Sequence, residues 1–479
     1  MGGLTRIAAG LCCLACMVCA LTACRASDTP TSSSSHTQSD DKAAYSMPSI
    51  PTVSDDGLPF VPGEDAPASS DYVFSTPPTI SSPAPDSTDS PDDTNTPATG
   101  RFDLEQLYPS NNLFSPVEQD KKWFYRNLTD QQKTIYRIID QAAAAMQTGK
   151  IHVGACSYPD LALVYTAVKS DHPEYFWLPA GYIYELVNGQ MYIAFEYEKD
   201  GYEIHYPYTR EERDNMIVQL RQVLEEAAAQ LNADMSAYDR ALILHDWLNA
   251  RLTYDQETAA GSSDHAEAFT VASLLDSTAV CEGYARSYQL LLYCAGIENT
   301  LVTGQVKDVG HMWNLVKIDG NWYHTDTTWN DSGDQGLHTY FHLTDAAIAA
   351  DHALDPDYSS LSYDDLAAFK SFNFNLPACR AISASFFALN GTMISGENAF
   401  AHIVTNALVQ AALDGKRSCE FGFGDTYAIQ FTSSQEMLQR IADERCLQMA
   451  NEQLPASKQL PTSISCNGIV GSKGFALSW

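Results

Sequence analysis

Basic residues are scarce in this chain. Its 479 residues include 28 Lys and Arg against 60 Asp and Glu, a formal charge of −32. Nucleic-acid binding rests on clustered cations that replace counterions, so this balance argues against a nucleic-acid partner. No run of Lys or Arg marks an anionic membrane surface as a ligand. The N-terminal apolar run is short as well. Ile7 to Ala23 carries no charge, but its 17 positions fall below the roughly 20 that a spanning helix needs. No CxxC pair occurs after Cys24. A structural zinc site is therefore not expected, and neither a metal nor a cofactor is.

What the N-terminus does contain reads as a targeting segment. Arg6 precedes the apolar run, which closes in Leu21-Thr22-Ala23-Cys24. This ending resembles a bacterial lipobox, with Cys24 as the residue to be lipidated. A plain signal peptide or membrane anchor is the alternative. Residues 1–23 are thus expected to be a signal and the mature chain to be extracytoplasmic, held at a bacterial cell membrane by its lipid. Residues 25–99 follow with 12 of the 22 prolines and a local charge of −10. Such a stretch buries too little apolar surface to offset its ordering entropy, so 24–100 is expected to be a disordered acidic tether. Its Ser/Thr-Pro content also suits a glycosylated stalk.

Folding should begin near Arg101. Thr129 with Gln132 forms a capping-box pattern ahead of Ile135, Ile138, Ile139, Ala142 and Met146 at helical spacing. Asn188-Gly189 lies between alternating apolar runs, Tyr182–Val187 and Gln190–Tyr197, a hairpin signal. Thr209 and Glu212 cap a further helix. Residues 101–235 therefore read as a small α+β domain. Its aromatic cluster, Tyr175, Phe176, Trp177, Tyr182 and Tyr184, reads as core before it reads as a groove. Ser236 and Asp239 open a central segment, 236–375, on a helix expected to end at Tyr254-Asp255 before a polar loop, Gln256–Ala266. Residues 376–479 are expected to form a second small α+β domain. Its elements are a strand at Ile382–Leu389, a helix at Glu397–Leu413, strands within Cys419–Phe431, a helix at Ser434–Met449 and strand structure in Ile464–Trp479.

Of the 12 cysteines, seven follow the signal: Cys156, Cys281, Cys294, Cys379, Cys419, Cys446 and Cys466. Disulfides among them and buried thiols both fit the spacing. Cys281 differs from the rest. Tyr284, Ala285, Tyr288, Leu291, Leu292 and Ala295 recur behind it at three- and four-residue spacing, and Gly296 is a plausible stop. The thiol thus sits at a helix N-terminus, where unpaired N–H groups favour a thiolate and could hold an oxyanion. Gly283 is expected to leave room beside it. Taken alone, an inert packing cysteine is the better explanation of Cys281.

His311 and Asp326 change the balance. Two strand-like runs, Met312–Ile318 and Asn321–Thr328, flank Asp319-Gly320. A two-residue turn there sets Trp313 opposite Asp326 and Thr328 opposite His311, so His311 and Asp326 share one face as diagonal neighbours. A three-residue loop would put Asp326 on the other face. A thiol, an imidazole base and a carboxylate that orients it are the parts of a nucleophilic triad.

Val280-Cys281-Glu282-Gly283-Tyr284-Ala285, Gly310-His311-Met312-Trp313-Asn314 and Trp322-Tyr323-His324-Thr325-Asp326-Thr327-Thr328-Trp329 resemble the three core motifs of the transglutaminase-like superfamily. The resemblance covers about 236–355. Thr327 stands where the family pattern often has proline. Tyr340–Asp345 and Asp351-His352 also resemble bacterial members. The resemblance implies a papain-like α+β core, with the Cys281 helix packed on an antiparallel sheet, flanked by smaller α+β domains. It also implies an acyl-transfer or hydrolytic enzyme, transglutaminase-like or cysteine peptidase, acting on a protein or peptide, with cell-wall peptide among the candidates. The catalytic residues would be Cys281, His311 and Asp326. Trp313 and Tyr254 are substrate-binding candidates. Glu282 is a weaker candidate, His245 reads as a core histidine, and Asn330, Asp331 and Asp334 read as a solvated turn before a calcium loop. Two alternatives use the same residues. One is a cell-surface or cell-wall binding protein on this scaffold, and the other is a metal site at Cys281, His311 and Asp326.

Overall fold

The computed structural model describes residues 5–8, 119–199, 202–261, 265–331, 337–368, 370–424, 433–467 and 474–479. Cys24, the tether and Asp334 lie outside them. The fold is mixed α+β. Three four-stranded sheets follow one another along the chain, each with helices packed against it.

The first sheet has the order Thr5–Ala8, Tyr182–Val187, Gln190–Ala194, Ile151–Gly154. Its hairpin turns at Asn188 and Gly189, both with positive φ, as a tight two-residue connection requires. Thr129 and Thr209 both make complete capping boxes, starting helices Asp130–Ala144 and Arg210–Ala228. Tyr175, Phe176, Trp177, Tyr182 and Tyr184 are all buried, so the aromatic cluster is core.

The central sheet is antiparallel, in the order Asn321–Thr325, Val309–Ile318, Asn299–Val306, His352–Leu354. Asp319 (φ 49°) and Gly320 (φ 84°) make the two-residue turn, which pairs Asn314 with Thr325 and Ile318 with Asn321. Against this sheet packs the helix Cys281–Cys294, all of whose residues are buried. Gly296 follows it with φ 72°. The Asn314 side chain donates to the Ala285 carbonyl at 2.9 Å and joins sheet to helix. The hydrophobic core is continuous from Trp123 to Ala384, and a separate core fills the C-terminal sheet and its helices.

Several local expectations need correction. The second strand stops at Thr325 and does not reach Thr328, because Asp326 caps a helical turn, Thr327–Asn330. The helix Ala237–Arg251 stops short of Tyr254, which instead pairs in a short parallel ladder with Ala279. Gln256–Ala259 is a helical turn with Thr258 and Ala259 buried, not part of an open loop. Ile382–Leu389 holds the turn Phe386–Leu389 in place of a strand, with Ala384 and Phe387 inward and Ile382 exposed. Glu397–Leu413 is helical as expected. Arg445, at φ 55°, breaks the next helix into Ser434–Asp443 and Cys446–Gln453. All seven cysteines from Cys156 onward are thiols. Among the described residues no helix is long and apolar enough to cross a membrane.

Candidate active site

Cys281 is the first residue of its helix and only 1% exposed. Val280 precedes it in extended conformation, its N–H bonded to the Ala268 carbonyl at 3.0 Å. That carbonyl also explains Gly283. A Cβ there would overlap the Ala268 oxygen and crowd the Ala279 side chain. The glycine therefore serves a close backbone approach beside the helix start.

His311 lies on the strand Val309–Ile318, and its Nε2 meets Asp326 Oδ2 at 2.6 Å. The register of the Asp319-Gly320 hairpin accounts for this pairing. With Nε2–H donated to Asp326, Nδ1 is left as the acceptor nitrogen of the ring. Asp326 is fully buried. Its Oδ1 accepts from the backbone N–H of Thr328 (2.9 Å) and Trp329 (3.1 Å), the usual role of an N-cap aspartate. Burial opposes its charge, but His311 and a second histidine, His352, outweigh that and hold the carboxyl well below the ordinary range.

Sequence reasoning gave His352 no role. Its Nε2 approaches the same Asp326 Oδ2 at 3.0 Å, and its Nδ1 approaches Asp351 Oδ1 at 2.6 Å. Tyr340 donates its hydroxyl to Asp351 Oδ2 at 2.6 Å. Burial works against a charge on His352, yet the two carboxylates raise its pKa to about 9. The signal was the dipeptide Asp351-His352, whose resemblance to bacterial members assigns it no role. The strand His352–Leu354, paired with Asn299–Val306, carries it to the site.

The other candidates fall around this centre. Trp313 is 1% exposed, stacks beside His311 with ring centroids 5.8 Å apart, and gives its indole N–H to His324 Nδ1 at 2.9 Å. His324 Nε2 in turn meets Asp345 at 3.0 Å. Tyr254 is half-buried, with its ring centroid 6.4 Å from that of Tyr284. Glu282 is buried and bonded to Arg286 at 2.8 Å, with Lys169 at 3.7 Å. His245 is a core histidine, bonded to Asp246 (2.8 Å) and Asn330 (2.9 Å). Asn330 is itself buried and accepts from the Tyr340 N–H, so it belongs to the core and not to a solvated turn. Tyr284 donates to Asp331.

Among the described residues, three further clusters bring possible metal ligands together: His245, Asp246 and His338; His324, Asp345 and Cys379; and His265, Glu267 and Asp276. Hydrogen bonds or ion pairs within each account for most of the spacing. His338 is the most telling. It joins Asp246 (2.9 Å) to Glu420 (3.0 Å) on the C-terminal sheet, and these carboxylates overcome its burial to raise its pKa to about 9.

The sequence profile of the transglutaminase-like superfamily matches residues 225–327, a span that contains Cys281, His311 and Asp326. A curated relative, kyphoscoliosis peptidase of Mus musculus, is 27% identical over 171 residues, 30% of this chain and 25% of that protein. The chain thus spans about a quarter of that relative's length. Among solved structures, a TGase aligns with 16% identity and a TM-score of 0.24, covering 33% of this chain and 46% of that one. A candidate cysteine protease from Cytophaga hutchinsonii aligns with 20% identity and a TM-score of 0.19, covering 24% and 37%. The protein carries a transglutaminase-like core within a mixed α+β fold.

Proposed function

We propose that this protein is a thiol enzyme that acts on a peptide or glutamine carboxamide, with Cys281 as nucleophile, His311 as base and Asp326 as the group that orients His311. The observation that carries the reading is the 2.6 Å His311–Asp326 hydrogen bond, on the sheet against which the Cys281 helix packs. Nδ1 of His311 takes the thiol proton as sulfur attacks the carbonyl carbon. The carbonyl oxygen gains negative charge beside the Cys281 N–H at the helix start. Collapse of the adduct breaks the C–N bond, and His311 returns the proton to the leaving amine. Water then releases the acid, or an amine takes the acyl group. The sequence carries no evident site for an acceptor amine, so we favour hydrolysis, with peptidase or amidase activity. We further propose that Cys24 anchors the protein to a bacterial membrane, with the acidic tether holding the enzyme off the surface, where cell-wall peptide is within reach.

A peptide and glutamine-donor screen read by mass spectrometry, with and without a primary amine, tests the reaction. Cleavage or deamidation that is lost in Cys281→Ala supports the reading. Amine incorporation in preference to hydrolysis would reassign it to cross-linking. No Cys281-dependent product under any condition would overturn it.

A further inference from the structure

A carboxylate that only has to orient one histidine needs one partner on that side. Asp326 has two. Its Oδ2 faces Nε2 of both His311 (2.6 Å) and His352 (3.0 Å), while Oδ1 is taken by two backbone N–H groups. A carboxylate offers about four acceptor directions, and here all are in use. The group therefore has no rotational freedom, and His311 is held against a fixed acceptor.

His352 is held just as firmly. Each ring nitrogen faces a carboxylate oxygen, Asp326 at 3.0 Å and Asp351 at 2.6 Å. Both nitrogens must carry hydrogen to satisfy both contacts, so the ring is an imidazolium. The other ionisable groups around it are His311, with ring centroids 5.5 Å apart; His324, reached through Trp313; Tyr340, bonded to Asp351; and Lys307, whose ammonium lies 5.7 Å from the centre of the Trp329 ring. Trp329 meets His352 edge-on with ring centroids 5.3 Å apart, and His352 is buried. In such surroundings a fixed cation acts on its neighbours with little screening.

We infer that His352 is a positioning residue for the proposed Cys281–His311–Asp326 unit: clamped between Asp326 and Asp351, it fixes the Asp326 carboxylate on His311 and sets a second positive charge against the same carboxylate oxygen. The inference deepens the reading given under Proposed function and rests on it. Two positive rings on one carboxylate oxygen repel each other, so a charged His352 makes the charged form of His311 less stable. His352 touches neither thiol nor substrate in this account. It acts only through Asp326.

The test needs no substrate. Full-length protein is labelled with ¹⁵N-histidine in a Cys281→Ser background, which removes coupling to the thiol. The titration midpoint of His311 is then followed by NMR. His352→Gln keeps an N–H donor toward Asp326 and removes the charge, and should raise the His311 midpoint by roughly one pH unit. Asp351→Asn leaves the ring but weakens its hold on the proton, and should shift the midpoint the same way by less. It also serves if His352→Gln does not fold. An unchanged or lowered His311 midpoint in the folded variants overturns the inference, since a packing role alone does not move this quantity. Failure of the underlying reading looks different: Cys281 in otherwise wild-type protein would alkylate no faster than an ordinary thiol, whether or not His311 is replaced by Ala.

Discussion

His311 and His352 meet on a single oxygen of Asp326, at 2.6 Å and 3.0 Å, while the other oxygen caps the turn Thr327–Asn330. One carboxylate thus ties together the end of a hairpin strand, the start of a helix and the far edge strand of the sheet. Replacing it with Ala removes a buried counter-charge from two histidines and a cap from a helix. The expected cost is roughly 3–5 kcal/mol of stability, read from denaturant unfolding. Asp326→Asn keeps the shape and an oxygen for the cap. It should unfold less easily than the Ala variant, yet it should lose about 10³–10⁴-fold in the rate of Cys281-dependent acyl transfer, because the His311 tautomer is no longer imposed. A wild-type rate in a folded Asn variant would contradict the role given to Asp326.

Stability should fall on the alkaline side. His352 and His338 each have a folded pKa of about 9, above the ordinary histidine value. Such a group binds its proton more tightly when folded. Its contribution is complete below about pH 6.5 and is lost as pH rises through about 9. Each histidine accounts for on the order of 2–3 kcal/mol across that window. His245, His324 and His342 are lowered by burial and act in the opposite sense, so stability is also lost as pH falls below about 6.5. Urea midpoints measured from pH 5 to 10 should therefore pass through a maximum near neutrality. His338→Gln should remove part of the alkaline slope, along with its link to Glu420 on the C-terminal sheet.

Gly283 offers a third test. An Ala there would press its Cβ into the Ala268 carbonyl, which is backbone and cannot swing aside. Gly283→Ala should cost roughly 1–3 kcal/mol. It should also displace Ala266–Phe269 from the helix start, loosening Val280 N–H from Ala268. Thermal unfolding reports the cost, and hydrogen exchange at Val280 reports the displacement. A neutral substitution with unchanged exchange would contradict the packing described.

Much of this centre was legible in the sequence, because local rules with short range decide it. Asp319-Gly320 dictates a two-residue turn, the turn dictates register, and register brings His311 to Asp326. The capping boxes at Thr129 and Thr209 were legible for the same reason. Three things escaped. Asp326 was read as strand because alternation continues through Thr328, whereas the carboxylate's preference for capping a helix won locally. The close approach of Gly283 to the Ala268 carbonyl has no signal in the sequence, because tertiary packing fixes it. His352 could not be placed because it reaches the site through pairing with Asn299–Val306, and sequence gives no register for strands joined by a long connection. In the C-terminal sheet the same problem recurs: Met393–Ile394 runs parallel to Ser418–Phe423, a pairing that no turn specifies.

The most direct test of the whole account is the reactivity of Cys281 toward a cysteine-directed acylating probe at neutral pH, resolved by peptide mass spectrometry in the full-length protein. The account predicts fast modification at Cys281, slow modification at Cys156, Cys294, Cys379, Cys419, Cys446 and Cys466, whose thiols burial pushes up in pKa, and a large drop at Cys281 in His311→Ala. Labelling of Cys281 that is no faster than at the other six thiols and indifferent to His311 would contradict it.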